Sequence, residues 1–221
     1  MQAIDMPDVI PIFPLPGTVL LPSEIMPLHI FEPRYRDMVR DALGGHKIIG
    51  MVQPMPGFEE EISGEPPVRP VGCAGFIAKH LELPDGRFLI WLLGVDKFRI
   101  DEELHTLTRY RQVRIVRDSA FAGRESPEDC SPLREWLLSS VPLFISEDRA
   151  KLDALVEELS ALDDHQLVAV SCRLLGLSGE LKQRLLEARE LEERYRLLHE
   201  AVEGAIFARP ELLRFDPREI N

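Results

Sequence analysis

The residue types that carry catalysis and ligand chemistry are present in this chain, but their spacing rarely brings them together. Gly44-Gly45-His46-Lys47 is the nearest approach to a phosphate-cradling loop. It is shorter than GxxxxGK[ST] and leads into a strand pattern rather than a helix, and no GxGxxG follows a strand. Gly176-Leu177-Ser178-Gly179-Glu180 resembles a nucleophile elbow until its last position, where Glu replaces Gly. It lies between two helix patterns, so Ser178 is read as a helix N-cap. Cys73 and His80 are seven apart in a strand and point to opposite faces if that strand runs regularly. His29, His46, His105, His165 and His199 stand singly, without the repeated spacing a metal centre needs. Glu59-Glu60-Glu61 and Glu192-Glu193 read as solvated acidic surface. Arg109, Arg111, Arg114 and Arg117 form the one stretch with nucleic-acid character, yet they do not share one face. No catalytic residue, metal or cofactor is expected from these patterns.

The elements that must position these residues change character midway. Up to about residue 118 the pattern is mostly strand, with candidates at 9–13, 25–30, 47–53, 72–83, 87–100 and 106–117. Pro84-Asp85-Gly86 is the best hairpin turn. Phe88 to Leu93 lacks alternation, as expected of a strand covered on both faces. Gly72, Gly75 and Gly94 suggest the bulges and bends that close a sheet. One helix interrupts, opening at Pro33, carrying Tyr35, Met38, Val39, Ala42 and Leu43, and stopping at Gly44-Gly45. Residues 54–67, rich in Pro, Gly and acid, read as a long loop with Met55 and Phe58 exposed.

From Ser131 onward the hydrophobic period becomes helical. Ser131-Pro132, Ser146 before Glu147-Asp148, and Asp163 followed by Gln166 are helix starts. Leu152, Leu155, Val156 and Leu159 form one stripe, and Leu167, Val168, Val170, Cys172, Leu174 and Leu175 another, closed by Gly176. A single long helix is expected near 178–205, with Leu181, Leu185, Ala188, Leu191, Tyr195, Leu198 and Val202 inward. Strands followed by helices define an α+β chain: a β-rich, barrel-like domain at 1–118 and a helical subdomain at 119–221.

Composition sets the outer limits. The 221 residues are 45% hydrophobic and 29% charged, enough for one large domain or two small ones. Formal net charge is −12, with 13 basic against 17 acidic side chains up to residue 118 and 13 against 21 beyond it. That balance argues against gripping nucleic-acid phosphates as the main task. Three unpaired-looking cysteines (Cys73, Cys130, Cys172) imply a reducing compartment. The opening residues lack a basic stretch followed by an apolar run, and the most apolar segment, Phe88 to Val95, is far too short to span a bilayer. A cytoplasmic protein is expected.

One segment is distinctive. Ile10-Pro11-Ile12-Phe13-Pro14-Leu15-Pro16-Gly17-Thr18-Val19-Leu20-Leu21-Pro22, followed by Met26-Pro27-Leu28-His29-Ile30-Phe31-Glu32-Pro33-Arg34-Tyr35-Arg36, resembles the opening signature of the Lon protease N-terminal (substrate-binding) domain family. Ile48 to Val52, Val71-Gly72-Cys73-Ala74-Gly75-Phe76-Ile77, Pro84-Asp85-Gly86-Arg87 and Leu93 to Ile100 follow in the family's order. The likeness runs over about residues 8–205. Gly72-Cys73 departs from the family's Gly-Thr pairing, and Lys97-Phe98 from its Arg-Phe. The resemblance implies a PUA-like pseudo β-barrel of about six strands plus one short helix, followed by a C-terminal helical bundle. It also implies a domain standing without the ATPase and Ser-Lys protease of full Lon, so ATP-dependent peptidase activity is not expected. The signature reads mainly as architecture: Pro14, Pro27, His29, Phe31, Glu32, Pro33, Arg34, Tyr35, Gly72, Asp85 and Gly86 mark the fold. Its six prolines rigidify an extended entry, and Glu32 sits where a helix dipole favours a carboxylate.

The expected function is therefore a non-enzymatic module that recognises polypeptide, linked to protein quality control or acting as an adaptor. Leu15, Leu20, Leu21, Met51, Met55 and Phe58 are its candidate peptide contacts, with two or three of them exposed and the rest in the core. Expected partners are unfolded or client polypeptide, with a protease, a chaperone or a second copy as further candidates, and neither nucleic acid nor membrane. Two alternatives are a small-molecule or enzymatic cleft using His29, Glu32 or Cys73, and RNA binding by a PUA-like barrel.

Overall fold

The alternating and β-branched runs of the first half form six strands in a computed structural model that describes residues 4–58, 65–117, 130–144 and 149–208. They are β1 (Val9–Pro14), β2 (Ile25–Ile30), β3 (Ile48–Val52), β4 (Val71–Glu82), β5 (Phe88–Leu104) and β6 (Gln112–Arg117). Helix α1 (Pro33–Gly44) lies between β2 and β3, with proline at its first turn. The strand order is β2-β5-β4-β3-β1-β6. The β1–β3 pair is parallel and every other pair is antiparallel.

Strand β5 closes this mixed sheet. Its first half pairs with β2, its length follows β4, and its last residues pair with β6, so the ladder returns on itself. Irregularities at Ala74/Gly75, Ile77/Lys79 and Ile100/Glu102 supply the bends. A Cβ at Gly94 would lie 2.1 Å from the Leu21 carbonyl oxygen, so only glycine lets the chain cross there. Gly86, at φ 79°, makes the turn between β4 and β5 as the Pro-Asp-Gly pattern predicts. Met6, Ile10, Ile12, Ile48, Val52, Ala74, Phe98, Val113 and Ile115 fill one hydrophobic cluster.

Two strand expectations change. Residues 106–111 precede β6 instead of belonging to it. Phe88 to Leu93 alternates after all: Phe88, Ile90 and Leu92 are buried, whereas Leu89, Trp91 and Leu93 are half-buried. An apolar sequence run does not say how completely its second face is covered. Here Trp91 carries the Lys79 ammonium over its ring at 5.0 Å instead of a packed layer.

The remaining helices are α2 (Ser131–Ser140), a 3₁₀ turn (Val141–Phe144), α3 (Arg149–Ser160), α4 (Asp164–Leu174), α5 (Gly179–Glu187) and α6 (Leu191–Ala208). Asp163 and Gln166 form a reciprocal capping box at α4, and the Ser178 hydroxyl accepts from Leu181 N–H at the start of α5. The Ser146 helix start, the Glu59-Glu60-Glu61 run and the boundary at 118 lie outside the described residues. The single helix expected near 178–205 is two. Residues 188–190 interrupt it: Arg189 N–H donates to the Glu193 carboxylate, and Arg194 donates to the Ala188 carbonyl. These contacts satisfy backbone groups that a continuous helix would have used internally.

The chain divides into two units, one holding the six strands with α1 and α5, the other holding α2, α3, α4 and α6. In the first, α5 docks largely through polar groups. Gln183 donates to the Val71 carbonyl, the Gln53 amide donates to the Gly179 carbonyl, Lys182 reaches Glu24 at 2.9 Å, and Arg69 pairs with Glu180. In the second unit, Tyr195 donates to Asp164 at 2.6 Å and Arg134 donates to the same carboxylate at 2.8 Å. Trp136 and His199 stack with ring centroids 3.9 Å apart. Among the described residues no helix is long and apolar enough to cross a membrane.

Candidate functional site

The chain is extended through Phe13 and Pro14, then turns at Pro16-Gly17, where Gly17 sits at φ 68° and Thr18 N–H donates to the Leu15 carbonyl. Phe13 to Pro16 form one side of a groove of about 270 Å³. The end of β2 and the start of α1 form another, through Leu28, His29, Phe31, Glu32, Arg34 and Tyr35. Pro54, Phe58 and Pro66 enter from the β3–β4 connection, and Arg109, Tyr110 and Arg111 from the approach to β6. Antiparallel contacts tie the β3–β4 connection down at its base: Met55 N–H donates to the Pro67 carbonyl at 2.7 Å, and Arg69 N–H to the Gln53 carbonyl at 2.8 Å.

The floor is apolar and the rim charged. Phe13 and Tyr35 rings pack with centroids 4.3 Å apart, and burial pushes the Tyr35 phenol upward. Arg34 lies over the Tyr35 ring at 4.6 Å and donates to Glu32 at 3.0 Å. Arg111 makes a two-pronged contact with Glu103, both at 2.6 Å, and donates to the Pro66 carbonyl at 2.7 Å. That fork holds the Glu103 carboxyl below the usual carboxylate range. Tyr110 donates to Asp41 at 2.7 Å; burial, then this bond, raises its phenol. The rim charges are thus held mostly by one another, while Phe31 stays 60% exposed and Phe58 37%; Met55, 38% exposed in the β3–β4 connection, does not line the groove. A polar cavity of about 360 Å³ adjoins the groove and shares Glu65, Arg109, Tyr110 and Arg111 with it.

The structure gathers Pro14, Leu15, His29, Phe31, Glu32, Arg34, Tyr35 and Phe58 at this groove. Leu15 is half-buried. Leu20, Leu21 and Met51 are not surface contacts: they are 0%, 3% and 2% exposed, in the core, because their strand and turn face inward. Pro33 opens α1, Pro27 lies exposed in β2, Gly72 is buried, and Asp85-Gly86 form the β4–β5 turn with Asp85 bonded to Arg87. Cys73 is fully buried and burial drives its thiol well up, so it does not join His29 as a working pair. Of the four arginines, Arg111 and Arg114 face Glu103 and Glu102, Arg117 donates to the Met6 carbonyl, and Arg109 approaches Asp37 at 3.8 Å. Among the described residues no three His, Cys, Asp or Glu converge as a metal site. Sequence reasoning missed Tyr110 and Pro54 as groove residues, and the exposure of Ile25, Leu107 and Val116. No local pattern announces them, since their position depends on chain crossings distant in sequence.

Comparison with known proteins agrees with this fold. Residues 9–204 match the family described as the ATP-dependent protease La (LON) substrate-binding domain. The Lon protease of Dictyoglomus thermophilum is 25% identical over 197 residues, covering 87% of this chain and 24% of its own. Lon protease 1 of Herpetosiphon aurantiacus is 28% identical over 204 residues, covering 89% and 24%. The chain therefore spans about a quarter of the length of the curated relatives it matches. The N-terminal domain of the Mycobacterium avium complex Lon protease superposes with a TM-score of 0.66 at 16% identity, covering 88% of this chain and 98% of that one. The Lon N-terminal domain protein from Xanthomonas campestris does so at 0.60 and 22% identity, covering 87% and 97%. At those identities the structural likeness speaks for the fold, and the family match spans both walls of the groove. The chain belongs to the LON substrate-binding domain family.

Proposed function

We propose that this protein is a non-enzymatic module that captures apolar segments of unfolded or client polypeptide at the groove between β1, β2 and α1. The observation that carries this reading is the pairing of an apolar floor with exposed Phe31 and Phe58, with exposed Met55 beside the groove in the same connection as Phe58, while the rim charges are largely occupied with one another. Exposed apolar groups rimmed by polar residues are the usual form of a protein-recognition site. The family's description as a substrate-binding domain supports the same class of ligand. In this reading the closed sheet is a PUA-like pseudo-barrel near residues 1–118, and the later helices are a bundle attached to it. The protein works in the cytoplasm as an adaptor or quality-control factor, handing clients to a protease or chaperone.

The test is fluorescence anisotropy of a labelled, reduced and carboxymethylated α-lactalbumin chain titrated with the purified protein. Saturable binding that falls at least tenfold in the Met55→Asp, Phe58→Asp double variant is expected. Absence of binding, or binding unchanged by that variant, overturns the reading.

A further inference from the structure

Strand β2 is the open edge of the sheet. The opposite end of the strand order closes through β5–β6, whereas β2 pairs with β5 alone among the described residues. The phase of its hydrogen bonding follows from one contact and one residue. Gly94 N–H donates to the Glu24 carbonyl at 2.8 Å, so the residues turned toward β5 are 26, 28 and 30. Ile25, Pro27 and His29 then turn their backbone groups outward. Pro27, which has no N–H to give, falls on the outward set, where a sheet tolerates it. All three are exposed.

The edge therefore offers N–H and C=O groups at Ile25 and His29, about 13 Å apart at some 3.4 Å per residue, and a lone C=O between them at Pro27. It is flanked by two of the most exposed apolar side chains, Ile25 at 57% and Phe31 at 60%. At its far end, Leu28, His29 and Phe31 also line the groove. This alternation of partial charges is complementary to one kind of surface, another extended main chain.

We propose that client polypeptide binds as an added β-strand along the outer edge of β2, with one of its side chains entering the groove beyond His29. The proposal rests on the polypeptide-binding reading above and specifies its mode. A strand running antiparallel to β2 exchanges bonds in both directions with Ile25 and with His29 and donates once to the Pro27 carbonyl. Main-chain pairing supplies affinity without regard to sequence, and the groove selects an apolar residue at one position. Pro27 limits the ladder and keeps the edge from pairing indefinitely with other chains.

The test uses a fluorescein-labelled dodecapeptide of alternating leucine and serine with lysine at each end, and the same peptide N-methylated at alternate residues. N-methylation of the strand-pairing donors is expected to weaken binding at least tenfold. His29→Pro removes an outward donor while leaving the β2–β5 ladder intact, and is expected to weaken binding about threefold to tenfold. Pro27→Val supplies the missing donor and is expected to strengthen it severalfold, which keeps the test decisive should His29→Pro fail to fold. Equal binding of the methylated and parent peptides overturns strand addition while leaving polypeptide capture standing. No binding of either peptide, together with no capture of the carboxymethylated chain, overturns both. A concentration-dependent dimer in sedimentation equilibrium that His29→Pro abolishes, with no peptide uptake, assigns the edge to a second copy and overturns the client reading.

Discussion

Replacing Phe31 by alanine separates a recognition residue from a core residue. A phenylalanine carries roughly 200 Å² of surface; at 60% exposure, about 120 Å² of it is free to meet a ligand. At about 25 cal/mol per Å², covering that area contributes some 3 kcal/mol, or roughly a hundredfold in affinity. The remaining area of roughly 80 Å² is an upper bound on what Phe31 buries in its own fold, and alanine keeps part of that contact. Removal of the ring should therefore cost no more than about 1.5 kcal/mol of unfolding free energy. Leu20, at 0% exposure, should behave in the opposite way. Leu20→Ala is expected to cost about 3 kcal/mol of stability and to leave affinity nearly unchanged once the folded fraction is accounted for. The assay pairs anisotropy with urea unfolding for both variants. If Phe31→Ala lowers stability by more than about 2 kcal/mol and leaves affinity within threefold, Phe31 is an architectural residue and the reasoning fails.

Three further outcomes follow from the first unit's packing. Glu24→Ala removes the carboxylate that holds Lys182 and accepts from Leu21 N–H at 3.0 Å, leaving a largely buried ammonium and an orphaned amide. It should cost about 3 kcal/mol in urea unfolding, most of it recovered when Lys182→Met is added. Gly94→Ala places a methyl group 2.1 Å from the Leu21 carbonyl oxygen, and should cost at least about 2 kcal/mol or prevent folding, as thermal unfolding will report. Glu103 is held below the ordinary carboxylate range by Arg111, so its contribution is complete above the unfolded value of about 4.3 and disappears as pH falls through its lower folded value. Glu103→Gln should therefore flatten the acid side of the stability–pH curve, and an unchanged curve would discard that link.

Much of the fold is legible in local chemistry. Residues 25–30 read as a strand and form one, and Pro33 to Gly44 behaves as its caps and apolar spacing require. Asp163 with Gln166, and Pro84-Asp85-Gly86, are short-range signals whose geometry depends on few other residues. The break at 188–190 carries neither glycine nor proline; it exists because Arg194 and Glu193 take over backbone groups and because α5 is tied to the strands by Gln183 and Lys182. The site is less legible still. Hydrophobicity alone does not separate Met51, which is 2% exposed, from Met55, which is 38% exposed four residues later. The distinction lies in whether a side chain points into the sheet or leaves it after Val52. The opening signature supplies both walls of the groove: Pro14 and Leu15, at and just after the end of β1, on one side, and His29, Phe31, Glu32, Arg34 and Tyr35, from the end of β2 into the first turn of α1, on the other.

The central claim is that client polypeptide lies in this groove, and a photo-crosslink reports that contact directly. With p-benzoyl-phenylalanine in place of Phe58, irradiation in the presence of the carboxymethylated α-lactalbumin chain should yield a crosslinked adduct that excess unlabelled chain suppresses. The same probe in place of Val116, exposed on β6 and outside the groove, should yield little. Equal adduct from both positions, or none from Phe58 under conditions where anisotropy shows saturation, would place the client elsewhere and contradict the account.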